Sequence, residues 1–280
     1  MRVTPCRRVP EGFVLWTEGR AHLWVREELL DGVRRAGLDD PVCWQERLAT
    51  RSLGSGRGST ARCHIPGGPH VLLKKMRRGG ITGPLWRGRY PGLRRLLDNL
   101  EVPLETARRG VPTVTPVAML TQEGPPLLYQ GWLAMEEIVG ARDLTSRWEG
   151  TQLAGRAEIA ATMRLVRRMH DAGIEHRDLN LGNLLLRDRP QDGYEAFVVD
   201  LDRARLHPAP LALRLRKRGL GRMWRSYVKL CGGSRPQAAE ALVSWYSLYA
   251  DGDEALLRRL MKGRSLQDAA LALHRLRWRS

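Results

Sequence analysis

The period of the apolar positions changes near the middle of the chain. Residues 12–25 hold two short apolar runs around a turn and predict two strands. Residues 26–37 predict a helix closed by Gly37. Residues 61–65 and 71–73 predict strands on either side of a turn at Pro66-Gly-Gly-Pro69. The stretch 77–92 is too rich in Gly and Pro for a regular element. A helix is predicted over 93–109 and closed by Gly110, with Pro103 breaking it or beginning its second part. Residues 111–120 and 132–135 predict further strands.

Beyond that point the spacing lengthens. Ile159, Met163, Val166 and Met169 recur at helical intervals, and Gly173 closes that helix. Short strands at 184–186 and 197–199 follow a polar loop at 176–183, and the chain beyond 208 reads as helical. The predicted class is α+β, strand-rich over residues 1–140 (with 1–50 as an N-terminal extension) and helix-rich over 141–280. A strand-rich lobe followed by a helix-rich lobe is the organisation of a bilobal, protein-kinase-like fold.

The polar loop carries the strongest chemical signal, His176-Arg-Asp-Leu-Asn-Leu-Gly-Asn183. Phosphoryl transfer needs a carboxylate to orient and deprotonate the attacking hydroxyl, and oxygen ligands to hold magnesium on the phosphates. An H-R-D-x-x-x-x-N loop between a helix and a strand supplies both, so Asp178 is the expected base and Asn183 an expected metal ligand. Downstream, Phe197-Val-Val-Asp-Leu-Asp202 delivers Asp200 at the end of an apolar strand, where a kinase places its second metal ligand. The motif is D-L-D rather than D-F-G, and Asp202 reads as either a further ligand or a surface carboxylate.

In the first half, Gly54, Gly56 and Gly58 lie in a loop between predicted strands, where glycine lets backbone N–H groups approach phosphate oxygens. The next strand but one ends in Lys74-Lys75, and Lys74 is the preferred phosphate-binding lysine. Its partner would be Glu101 or Glu105, with Glu101 preferred. Glu136 and Glu137 fall where the adenine site would border the lobe junction.

Charge narrows the partners. Lys and Arg number 47 against 30 Asp and Glu, a net charge of +17. Such a surplus attracts polyanions, whether nucleic acid, anionic membrane surface or phosphorylated substrate, while Arg in preference to Lys can reflect genome base composition. Cys6, Cys43, Cys63 and Cys231 form no CxxC pair, so reduced, mostly buried thiols are expected. No apolar run approaches the roughly 18–20 residues that span a bilayer, and the first residues lack a secretory apolar stretch, so a cytoplasmic location is expected.

Several segments together resemble the bacterial lipopolysaccharide kinases, the Kdo kinase and core-heptose kinase family. In the first half these are Lys74-Lys-Met-Arg-Arg-Gly-Gly80, Arg89-Tyr90 and Arg109-Gly-Val-Pro-Thr-Val-Thr-Pro-Val117. The catalytic loop with Val199-Asp-Leu-Asp-Arg203 is similar to the Kdo-kinase branch. The resemblance covers about residues 50–230. It implies ATP and Mg²⁺, a sugar hydroxyl of the lipid A–core precursor as acceptor, and work at the anionic inner face of the cytoplasmic membrane, with no nucleic-acid partner. It carries over Asp178 as base, Asn183 and Asp200 as metal ligands and Lys74 as phosphate-binding lysine. The absence of Ala-Pro-Glu and of a long segment after Asp200 favours a small or lipid-linked acceptor over a protein. A small atypical protein kinase and a small-metabolite phosphotransferase are the alternatives. The acceptor side would be lined by basic residues from 77–95 (Arg77, Arg78, Arg87, Arg89, Arg94, Arg95) and 214–225 (Arg214, Arg216, Lys217, Arg218, Arg222, Arg225), with Trp86 and Trp224 placed for a membrane interface or for core packing.

Overall fold

The apolar runs of the first half assemble into one antiparallel sheet. The computed structural model describes residues 9–50, 60–77, 88–124, 128–148, 155–191, 193–231 and 235–262. Gly54, Gly56 and Gly58, with Arg78, Gly79, Gly80, Trp86 and Arg87, lie outside them. Contacts divide the chain into two compact units, Met1–Leu104 with Val114–Ile138, and Glu105–Thr113 with Val139–Ser280.

In the first unit the strands are β1 (Phe13–Glu18), β2 (Ala21–Arg26), β3 (Thr60–His64), β4 (His70–Lys75), β5 (Tyr90–Pro91), β6 (Pro116–Gly124) and β7 (Leu128–Glu136). They run in the order β1-β2-β6-β7-β4-β3, with β5 paired to the start of β7. The helices are α1 (Leu30–Arg35), α2 (Pro41–Thr50) and α3 (Arg94–Arg108), whose last residues belong to the second unit. The alternation of side chains along a strand builds two cores. Leu73, Ala118, Leu120, Trp132 and Ala134 pack on one face with Val33, Trp44 and Leu48. Met119, Tyr129 and Leu133 pack on the other with Leu96 and Leu100 of α3. Helix α2 had no counterpart in the sequence reading. Arg47 on it donates to the free thiols Cys43 and Cys63, at 3.2 and 3.3 Å.

Pro103 does not break α3; the helix runs through it. Proline removes the N–H that would bond the carbonyl of Asn99, four residues back. Pro103 is itself buried, and Leu96, Leu100 and Leu104 hold the helix against the sheet, so packing outweighs the missing bond.

The second unit holds β8 (Ala141–Asp143), α4 (Leu144–Arg147), α5 (Arg156–Asp171), β9 (Ile174–Glu175), β10 (Leu184–Arg189), β11 (Gly193–Val198), β12 (Arg205–Leu206), α6 (Leu213–Cys231), α7 (Arg235–Ala250) and α8 (Glu254–Met261). Strands β11-β10-β8 form one sheet and β12-β9 another. The segment 105–113 joins this unit by side chains: Arg109 donates to the carbonyls of Ala172 and His207, both at 2.9 Å, and Thr113 Oγ1 donates to that of Val198 at 2.7 Å. Trp148, Trp224, Tyr227 and Trp245 stack between α4, α6 and α7, edge to face in the Trp148–Tyr227, Trp148–Trp245 and Trp224–Trp245 pairs and tilted in the Tyr227–Trp245 pair. Trp224 is buried in that cluster, which excludes it from a membrane interface. Among the described residues no helix is long and apolar enough to cross a membrane.

A polar knot ties α5, α6 and α7. His170 Nδ1 meets the Tyr249 hydroxyl at 2.8 Å, and Arg216 donates to that hydroxyl at 3.2 Å, to Asp171 at 2.6 Å and to the carbonyl of Leu211 at 2.7 Å. Arg216 is therefore a core residue and is removed from the acceptor-side basic set. Burial, then the nearby charges of Arg216, His176 and Arg167, lowers the His170 pKa from 6.5 to about 3. The folded state keeps this imidazole neutral while the unfolded chain protonates it near its ordinary pKa. The stability this confers is complete above pH 6.5 and is lost as pH falls toward about 3. Chemical denaturation between pH 7 and pH 5 should show stability falling with acid, and His170→Gln should flatten that slope by about one proton. An unchanged slope in the variant would contradict the assignment.

Candidate functional site

Burial alternates sharply along the loop after α5. Gly173 ends the helix with φ +77°, and a Cβ there would lie 2.5 Å from the carbonyl oxygen of His207, so only glycine lets β12 close on β9. His176, Leu179 and Leu181 are buried, while Arg177 and Asp178 between them are exposed. The two leucines sink into the core and force the carboxylate of Asp178 outward. The backbone N–H of Leu181 donates to Ser226 Oγ on α6 at 3.3 Å, which fixes the far side of the loop.

His176 joins the two halves of the site. Its Nδ1 accepts from the backbone N–H of Asp178 at 3.3 Å, so its Nε2 carries the proton and donates to the carbonyl of Val199 at 3.0 Å. Asn183 closes the loop on itself, with Nδ2 donating to the carbonyl of Asp178 at 2.9 Å, and its own carbonyl accepts from Val199 N–H at 3.0 Å. Burial pushes the His176 pKa down, against the Val199 hydrogen bond and the charges of Asp200 and Asp178. The neutral imidazole is the form this double role requires.

Asp200 follows directly. Its φ of 59° and ψ of 53° place it in the left-handed region, which Asp tolerates better than most residues. Leu201 behind it is buried, and Asp202 sits half-buried in the 3₁₀ turn Leu201–Arg203. The Asn183 amide oxygen and the Asp200 carboxylate are hard oxygen donors of the kind Mg²⁺ takes, and this ion uses few protein ligands beside substrate phosphates. The Nδ2 bond to the carbonyl of Asp178 uses the nitrogen end of Asn183, so the amide oxygen is the end that could ligate a metal. No cluster of three or more His, Cys, Asp or Glu side chains suited to a metal occurs among the described residues.

In the first unit the sheet separates the two candidate lysines. Lys74 pairs with Leu133 and Lys75 with Trp132. Paired residues share a face, so Lys74 points to the side covered by α3 and Lys75 to the side of α1 and α2. Lys75 lies over the Trp132 ring, 5.6 Å from its centroid, and burial lowers its pKa. Glu101 stands one turn from Leu97 and three residues from Leu104, at the edge of the α3 face that meets the sheet. Glu105 is held by Arg108 and Arg109 at 2.7 and 2.8 Å, and these bonds lower its pKa to about 2. Glu137 pairs with Arg62 at 2.6 Å and Glu136 with Arg26 at 3.8 Å. Sequence reasoning missed the anchoring roles of His176, Ser226 and Thr113. The histidine lay inside the motif, but a serine within a helix and a threonine in a turn carry no spacing signal.

The family model described as "Lipopolysaccharide kinase (Kdo/WaaP) family" matches residues 43–246. A 3-deoxy-D-manno-octulosonic acid kinase of Xanthomonas campestris pv. campestris is 34% identical over 79% of this chain and 87% of its own. The enzyme of the same name from Stenotrophomonas maltophilia is 34% identical over 82% of this chain and 86% of its own. Among solved structures, a chain from WaaP in complex with acyl carrier protein superimposes with a TM-score of 0.56 at 23% identity, covering 90% of this chain and 97% of that one. This last likeness concerns the fold alone.

The His176 geometry generates a test. His176→Ala should lower turnover about 10- to 100-fold, as loss of a group that orients site residues does, while circular dichroism shows a folded protein. Turnover equal to wild type would show that Asp178 and Asp200 are positioned without it.

Proposed function

Since this chain belongs to the lipopolysaccharide kinase (Kdo/WaaP) family and is a phosphotransferase, we propose that it transfers the γ-phosphoryl group of ATP to a hydroxyl of a Kdo residue in the lipopolysaccharide inner core, with Mg²⁺. The observation that carries this reading is the exposed Asp178 held by His176 beside Asn183 and the strand end bearing Asp200. The Kdo acceptor, rather than core heptose, is favoured by relatives that are Kdo kinases at 33–34% identity. A protein acceptor is disfavoured by the short connection of residues 207–212 between β12 and α6, too short for a peptide-docking platform.

In this mechanism the carboxylate of Asp178 accepts the proton of the acceptor hydroxyl. The hydroxyl oxygen forms a bond to the γ-phosphorus, the bond to the bridging oxygen breaks, and ADP leaves. Asn183 and Asp200 would hold Mg²⁺, which neutralises charge on the phosphates. Lys74 would contact the phosphates, oriented by Glu101. The first unit would serve as the phosphate-binding lobe and the second as the lobe carrying base and metal ligands. The enzyme would meet its acceptor at the anionic inner face of the cytoplasmic membrane, drawn there by a net charge of +17.

Transfer of label from ATP to Kdo-bearing lipid A, with the labelled atom located by mass spectrometry, tests the reading; label on added protein but not on the glycolipid would refute it. In that assay Asp178→Asn should cut turnover roughly 10²–10⁴-fold with ATP binding retained. Lys74→Met should raise the KM for ATP far more than Lys75→Met, because their side chains leave opposite faces of β4. Equal effects would break the lysine assignment.

A further inference from the structure

Helix α6 presents three strips to its surroundings. One contains Gly219 and Ser226 and packs on the catalytic loop. A Cβ on Gly219 would lie 3.6 Å from Leu179, and Ser226 accepts from Leu181 N–H. A second contains Arg216, spent inside the polar knot. The third contains Arg218, Arg222 and Arg225, at helical spacings of four and three that put them along one line beside the loop-facing strip. Arg177 of the loop is exposed and within electrostatic range of Arg222, as are Arg218 and Arg225.

These four guanidiniums differ from the paired arginines of the second unit. Arg147 meets Glu158 and Asp188, Arg167 meets Asp171, and Arg187 meets Glu195. Arg177, Arg218, Arg222 and Arg225 have no carboxylate, carbonyl or ring partner among the described residues. Glu175 is the acid whose charge reaches Arg222, and its carboxylate already bonds His207 at 3.0 Å. Burial and the mutual repulsion of Arg222 with Arg218, Arg225 and Arg177 disfavour its charge, a cost that a bound anion would reverse. Like charges held together beside the catalytic loop, whose one acid within reach is already bonded to His207, leave most of their counter-charge to the substrate.

We propose that Arg218, Arg222 and Arg225, with Arg177 of the catalytic loop at their edge, form an anion subsite beside that loop that binds an acidic group of the acceptor and so sets which hydroxyl reaches the base. The group is a carboxylate or a phosphate monoester; both offer the oxygens that a guanidinium fork takes. This assignment rests on the function proposed above. A sugar acid linked to a phosphorylated glycolipid carries both groups, so the source is a matter for experiment.

Three acceptors decide it: Kdo-bearing lipid A with its acidic groups intact, the same compound as its Kdo methyl ester, and its dephosphorylated form. Wild type should lose about 10- to 100-fold in kcat/KM on one of the two altered acceptors, the effect of a charged hydrogen-bonding group. Loss on the ester assigns the carboxylate, and loss on the dephosphorylated form assigns the phosphate. The double variant Arg222→Gln, Arg225→Gln should show a similar loss on the intact acceptor, mainly in KM, and should no longer distinguish it from that altered form. Its KM for ATP and its thermal midpoint should stay near wild type, and Arg222→Lys should recover part of the loss. Equal wild-type kcat/KM on all three acceptors overturns the subsite without recourse to any variant. So does a double variant that discriminates as wild type does. Failure of wild type to label any of the three would instead overturn the Kdo-kinase reading itself, and the subsite with it.

Discussion

One buried imidazole holds the second unit's chemistry in register. His176 accepts from the backbone of Asp178 through one nitrogen and donates to the carbonyl of Val199 through the other. Each of those residues adjoins or carries a functional carboxylate, so a single ring sets the spacing between the expected base and the expected metal ligand. The arrangement demands the neutral ring with its proton on Nε2, and burial enforces that state by disfavouring the charge. An unmade bond at this depth costs about 1–3 kcal/mol, enough to let the loop take other conformations. The left-handed backbone of Asp200 persists for the same reason: the strand before it and the buried Leu201 after it leave no alternative path.

Around this hinge of hydrogen bonds the protein sorts its arginines by depth. Arg216 and Arg147 are deeply placed and are met by carboxylates and other acceptors, as a buried guanidinium must be. Arg218, exposed, and Arg222 and Arg225, half-buried, lie on the same helix as Arg216 beside the catalytic loop without such partners. The arginines are thus divided into a structural part, neutralised within the fold, and a part offered outward that contributes to the net charge of +17. That division suits a kinase whose relatives act on an acidic sugar.

The sequence by itself determined the polar loop of residues 176–183, the strand that leads to Asp200 and the change from strands to helices, because each rests on short-range pattern. His176-Arg-Asp178 and Asn183 lie within eight residues, and an apolar strand must end where its carboxylates begin. The family resemblance came from the same local spacing. Tertiary structure alone decided between Lys74 and Lys75. Alternation along β4 sets a period of two but not its phase, and only the register against Leu133 and Trp132 supplies the phase. It decided that α3 continues through Pro103, since the apolar contacts that outweigh one lost hydrogen bond come from a sheet whose strands are remote in sequence. It also decided which arginines of α6 are core and which are surface. Helical spacing gives every residue a direction, but only the packing of α5, α7 and the catalytic loop around that helix states which direction is inward.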